Sequence, residues 1–173
     1  WNDTLAPRGS GSEEAPITID AYGTGEAPFI DPKGKKTLSM KSKKTDCPYS
    51  ACIFLEAQSH IVIRNLHLRN DDDTIIGNYT EGWRCGIFVR ARWEEDRNKK
   101  FKGFLFEKLH IEHVDGSHRR GGLHKNYNGG IAFLRRAGSF EDIIIQNNKI
   151  HDIDGVGVCL EGTWVFNDFP HYE

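Results

Sequence analysis

Residues Phe140–Gly162 read FEDIIIQNNKIHDIDGVGVCLEG. Ile143 and Ile145 alternate with polar or outward positions, the period-2 pattern of a strand with one buried face. Asn147 and Asn148 follow, residues that tolerate a left-handed or side-chain-bonded turn. Ile150 and Ile153 resume the apolar pattern. Gly155 and Gly157 turn the chain again, and Val158 and Leu160 make a third short alternating run. Nothing here has the three- and four-residue apolar spacing of a helix. Three short strands joined by tight turns describe one coil of a parallel β-helix.

Working outward, the rest of the chain carries copies of this unit, which is the signature of a solenoid. KLHIEHVDG (Lys108–Gly116) aligns with NNKIHDIDG (Asn147–Gly155), and IVIRNLHLRNDDD (Ile61–Asp73) fits the same frame. The third strand recurs as ACIFLEA (Ala51–Ala57), CGIFVRA (Cys85–Ala91), GGIAFLR (Gly129–Arg135) and VGVCLEG (Val156–Gly162). The frames put Ile53/Leu55, Ile87/Val89, Ile131/Phe133 and Val158/Leu160 inside. Each coil then buries its inner face on the next. Three insertions interrupt the repeats, at Asp71–Arg84, Arg92–Lys100 and Ser117–Asn128. All border the third strand, so they are expected to wall one side of the solenoid.

The 173 residues suffice for one domain with a core, and residues 1–173 are read as a single β-helix domain. A net charge of −2 offers no basic field for nucleic acid. No apolar run approaches a membrane span. The chain begins at Trp1 inside a coil and stops at Glu173 without a polar cap. It is therefore expected to be a partial, N-terminal portion of a longer β-helix. The lysine-rich KGKKTLSMKSKK (Lys33–Lys44) holds a short strand at Thr37–Lys41, whose lysines suit a protected sheet edge or contact with an anionic polymer. Cys47, Cys52, Cys85 and Cys159 permit disulfides in a secreted chain, with Cys52–Cys85 or Cys47–Cys52 as pairings.

The first residues, Trp1–Asp31, combine a Gly/Ser turn with PITI (Pro16–Ile19), YGTG (Tyr22–Gly25) and PFI (Pro28–Ile30), followed by Asn-rich coils. This pattern resembles the N-terminal coils of the pectate-lyase-like superfamily of right-handed parallel β-helix proteins. It is most similar to the secreted bacterial polysaccharide-degrading members. The resemblance implies an all-β, right-handed single-stranded parallel β-helix. It also implies a secreted, periplasmic or cell-surface location and a polysaccharide or oligosaccharide partner. It does not fix the reaction, because the superfamily holds lyases, hydrolases, epimerases and tailspikes. The NTD, GHG and RIK triplets of polygalacturonases and the RxPxxR of pectate lyases are absent from the sequence.

Candidate chemistry comes from the stacked frames. Asp72, Asp115 and Asp154 align just before the turn into the third strand. At the roughly 4.8 Å spacing of adjacent strands, Asp115 and Asp154 would lie about 5 Å apart. Such a pair suits general acid and nucleophile or base in glycoside hydrolysis, where that separation implies retention. The three acids would equally suit a Ca²⁺ site, although no cofactor is required. Asp-Gly is also plain turn chemistry. Outward on the third strand lie Phe54/Glu56, Phe88/Arg90, Ala132/Leu134 and Cys159/Glu161. Glu56 and Arg90 pair across strands, and Glu161 is a further candidate acid or base. The insertion SHRRGGLHKNYN (Ser117–Asn128) gathers His118, Arg119, Arg120 and His124, which would hold or deprotonate an acidic sugar. Arg90, Trp83 and Trp164 complete the candidate sugar-binding set, indoles being suited to stacking on sugar rings. The preferred reading is a glycoside hydrolase binding along the third-strand strip. The alternatives are a polysaccharide lyase acting by β-elimination, and a non-catalytic carbohydrate-binding or structural β-helix.

Overall fold

A computed structural model describes residues 1–36, 38–41, 46–71, 73, 83–91, 96–116, 128–135 and 137–161. For 39–41, 46–49, 83 and 161 it describes the backbone alone. Among the described residues there are thirteen strands and no helix. The first coil holds β1 (Ile17–Ile19), β2 (Phe29–Ile30), β3 (Leu38–Lys41) and β4 (Asp46–Glu56). The second holds β5 (Ile61–Arg64), β6 (His67–Asn70) and β7 (Trp83–Arg90). The third holds β8 (Lys100–Glu107), β9 (His110–Val114) and β10 (Gly129–Leu134), and the fourth β11 (Ser139–Gln146), β12 (Lys149–Ile153) and β13 (Val156–Glu161).

Equivalent strands of successive coils pair in parallel, giving three sheets ordered β1-β5-β8-β11, β2-β6-β9-β12 and β3-β4-β7-β10-β13. The molecule is a parallel β-helix. β3 alone runs antiparallel, against β4, and it overlaps the strand expected at Thr37–Lys41. The expected register holds in the third sheet, where Ile53, Ile87, Ile131 and Val158 are neighbours, as are Leu55, Val89, Phe133 and Leu160.

The corners repeat as faithfully as the strands. His60, just before β5, and Gly103 and Asp142, at bends within β8 and β11, hold equivalent positions with φ of 57°, 76° and 52°. Asn65, Lys108 and Asn147 stand at the next corner with 57°, 52° and 55°. A left-handed residue bends the chain sharply in one step and costs an L-residue about 1–2 kcal/mol, least for Asn. Its recurrence shows that coil geometry, not local preference, sets these positions. Inside, Ile61, Ile63, Leu68, Ile111, Phe104, Phe106 and Phe133 are fully buried in one continuous stack.

Two expectations need correction. Cys52 and Cys85 are not joined by a disulfide. Cys52 aligns with Gly86 and packs in the interior, whereas Cys85 belongs to an apolar cluster on the outer side of the third sheet. The side chain of Cys47 lies outside the described residues. The third-strand strip is also not an open binding face. Its outward residues Ala51, Phe54, Phe88, Ala132 and Leu134 are buried, 9% exposed at most.

Candidate functional site

The acidic ladder exists, with one member changed. Through β9 and β12 the alignment is as expected, Val114 beside Ile153, so Asp115 and Asp154 are neighbours at the strand ends. Between β6 and β9 the register slips: Arg69 lies beside Glu112, but Asn70 beside Val114. His113, at φ 46°, is the extra residue of a bulge, and Asp152 at φ 52° repeats it one coil on. The β6 coil lacks this residue. Its ladder aspartate is therefore Asp71, not Asp72, and Asp72 lies outside the described residues.

Asp71 and Asp115 share a side-chain hydrogen bond. The site is polar and tightly held. The Arg84 side chain, 3% exposed, sends Nη1 to Asp115 Oδ2 at 3.3 Å. Arg69 Nη2 donates to Asp71 Oδ2 at 3.3 Å, and the Asp73 N–H donates to Asp71 Oδ1 at 2.6 Å. Asp154 Oδ2 accepts the Gly116 N–H at 3.3 Å. Beneath, Asn70 is fully buried and ties two coils together. Its Oδ1 accepts from Gly34 N–H and Ser50 Oγ, each at 3.0 Å, and its Nδ2 donates to Cys85 O. Asn128 Oδ1 accepts the Arg84 N–H at 2.9 Å. Buried asparagine amides thus fix the turn that displays the acids.

The two neighbouring acids are driven apart. Burial, then the hydrogen bond and charge of Asp71, with a further contribution from Asp154, raise Asp115 to about 7 against the opposing Arg84. Burial also pushes Asp71 upward. The Asp115 hydrogen bond, the Asp73 N–H and Arg69 outweigh it and hold Asp71 below the ordinary carboxylate range. The pair therefore keeps one proton up to about pH 7, Asp115 being the member whose value is raised.

The other sequence candidates divide. Arg90 is engaged: its Nε donates to Glu56 Oε1 at 2.9 Å, and its guanidinium lies 5.3 Å from the Phe54 ring centroid. The expected Glu56–Arg90 pair is present, and this arginine has protein partners rather than facing an open strip. Glu161 closes the third sheet beside Leu134. Its side chain, that of Trp83, and all of His118, Arg119, Arg120, His124 and Trp164 lie outside the described residues.

Sequence reasoning passed over a second cluster. On the outer face of the middle sheet, His67 is the neighbour of His110, and Glu112 that of Arg69 and His151. His67 and His110 rings stack with centroids 4.4 Å apart, and Phe29 packs on His67. With Glu26 and Ala27 these side chains line an open cleft of about 540 Å³. Burial pushes His110 below the usual imidazole value, aided by the charges of His67, Lys149 and His151 and opposed by Glu112. Burial acts to raise Glu112, but its hydrogen bond to His67 and the charges of His110, His67 and His113 prevail and lower it. The signal was available: HLR, HIE and KIH stand at equivalent frames of three coils.

No protein-family model and no curated protein matches the chain. Solved structures do. The native GH136 lacto-N-biosidase from Eubacterium ramulus superposes with a TM-score of 0.60 at 21% identity, over 81% of this chain and 23% of that one. Its selenomethionine derivative gives 0.58 at 20% identity, over 78% and 22%. The chain thus spans under a quarter of the length of these proteins. At this identity the likeness is one of fold, and it agrees with the parallel β-helix described above.

Proposed function

We propose that the chain is part of an extracellular glycoside hydrolase and that the Asp71–Asp115–Asp154 ladder is its acid–base centre. The observation that carries this reading is the close Asp71–Asp115 pair, in which burial and the neighbouring acid raise Asp115 to about 7 while Asp71 is lowered. A glycosidic oxygen is a poor leaving group until it is protonated, and a carboxylic acid that keeps its proton at neutral pH is the group suited to do so. Asp115 gives that proton to the leaving oxygen. Asp71 is too close to Asp115 to reach the other face of the sugar, so its part is to hold the proton on Asp115. Asp154, one strand further along the ladder, is the nucleophile or base. An acid pair about one strand spacing apart, about 5 Å, corresponds to retention. Glu161 is the second choice for that role. Arg69 and Arg84 neutralise the charge left behind.

The solved neighbours support this reading by name, being lacto-N-biosidases on the same scaffold. A saccharide substrate follows, and the reaction needs no cofactor. Ca²⁺ among the ladder acids is the competing use of the same groups. It would release the shared proton, so added Ca²⁺ should suppress rather than support an acid-dependent reaction.

The test is release of new reducing ends from a panel of neutral and acidic oligosaccharides. Hydrolysis gives reducing ends without ultraviolet absorbance. An unsaturated-uronate band would favour elimination, with the Ser117–Asn128 insertion as its source of base and arginine. Binding without any turnover would leave the non-catalytic reading.

A further inference from the structure

The geometry points to a binding site for one divalent transition-metal ion of the zinc class on the outer face of the middle sheet, with His67, His110, His151 and Glu112 as donors. These groups come from three adjacent strands: His67 from β6, His110 and Glu112 from β9, and His151 from β12. Their donor atoms converge. His110 Nε2 lies 2.9 Å from His151 Nε2 and 3.3 Å from Glu112 Oε2. His151 Nε2 lies 3.6 Å from the same oxygen, and His67 Nε2 lies 2.9 Å from Glu112 Oε1. Four donors at the 2.0–2.1 Å bond lengths of zinc–imidazole are separated from one another by about 3.3 Å. The separations given bracket that value around His110 and Glu112, whereas His67 and His151, on the strands either side of β9, do not both come within 4.8 Å of all the other donors, so one of these two rings must swing inward to complete the set. Among the described residues, His67, His110 and Glu112 are the group of three whose donor atoms all lie within 4.8 Å of one another.

Two further features fit a metal better than a plain hydrogen-bonded ladder. His151 turns its other ring nitrogen, Nδ1, to Asp152 Oδ2 at 2.8 Å. A carboxylate on the far nitrogen fixes the tautomer that leaves Nε2 free to ligate, as in carboxylate–histidine–zinc arrangements. The donors are also accessible, with side-chain exposures of 28% for His67, 34% for His110, 33% for His151 and 20% for Glu112. Imidazole-rich sets of this kind select Zn²⁺, Cu²⁺ or Ni²⁺ over the oxygen-seeking Ca²⁺ and Mg²⁺. An ion bound here would staple three coils together across the sheet, on a face apart from the Asp71–Asp115 pair.

The experiment is titration of the chelator-stripped, untagged protein with Zn²⁺, followed by calorimetry and by thermal unfolding. Co²⁺ serves as a spectroscopic probe. The expected result is one saturating equivalent, a rise in Tm with Zn²⁺ but not with Ca²⁺, and a Co²⁺ visible band of low-symmetry coordination. His110→Ala and Glu112→Gln should each weaken Zn²⁺ binding by at least about tenfold. His151→Ala, on the strand at the end of this sheet, does the same if the first two fail to fold. Absence of saturable Zn²⁺ binding would overturn the assignment. So would binding left unchanged in these variants, which would place the ion elsewhere in the chain.

Discussion

At the scale of single residues, Asp115 is the centre of the functional reading, and its behaviour with pH is specific. A catalytic acid with a pKa of about 7 loses its proton above that pH, so kcat/KM should fall on the alkaline side with an apparent value near 7. Asp115→Asn should reduce turnover by about 10²–10⁴-fold, the range typical of a lost general acid, and remove the alkaline limb. Asp71→Asn takes away the neighbouring negative charge, so ionisation of Asp115 becomes easier and the limb should move to lower pH. A pH–rate profile of the three proteins checks all of this. Asp115 and Asp154 were legible in the sequence because DG repeats in frame. Asp71 was not, because one bulged residue, His113, shifts the ladder by a position without leaving an apolar mark. The histidine cluster escaped for a related reason. Alternation tells which residues point outward, but not which outward residues meet across strands.

At the scale of the element, the coil register makes a prediction with an internal control. Gly86, Gly130 and Gly157 stack in the third sheet. A Cβ on Gly130 would lie 2.7 Å from both Gly157 O and the Ile150 side chain, whereas on Gly157 the nearest atom is 3.8 Å away. Gly130→Ala should therefore destabilise the protein by about 1–3 kcal/mol through overpacking, while Gly157→Ala stays well below that. Urea unfolding midpoints distinguish the two. Phe104, 1% exposed, meets Phe106, Phe133 and Phe140 edge-on. Phe104→Ala should cost about 3–5 kcal/mol in the same assay. Strand positions and inward residues were readable because a solenoid repeats its apolar pattern coil after coil. The burial of the strip's outward face was not, since Phe54, Phe88 and Ala132 look alike in sequence whether bare or covered.

At the scale of the whole molecule, the ionisable groups set opposing trends in stability. Asp20 and Glu112 are held below their ordinary values. Their contribution is present above the unfolded-state carboxylate range and is lost as pH falls through the folded values. Asp115 works the other way. Its folded value of about 7 exceeds the unfolded 3.8, so its contribution is full below that value and is lost as pH rises toward 7. The Tm of Asp115→Asn relative to wild type should therefore rise between pH 4 and pH 8, and thermal melts across that range would show it. The β-helix also explains how distant segments come to share a site. Asp71, Asp115 and Asp154 are far apart in sequence and adjacent only because strands pair at equivalent positions of successive coils. The most direct measurement is reducing-end release from the oligosaccharide panel by wild type, Asp115→Asn and Asp154→Asn. Turnover by the wild type with an alkaline limb near pH 7, lost in both variants while they remain folded, is the predicted result. Full activity in Asp115→Asn would contradict the assignment of the ladder as the acid–base centre.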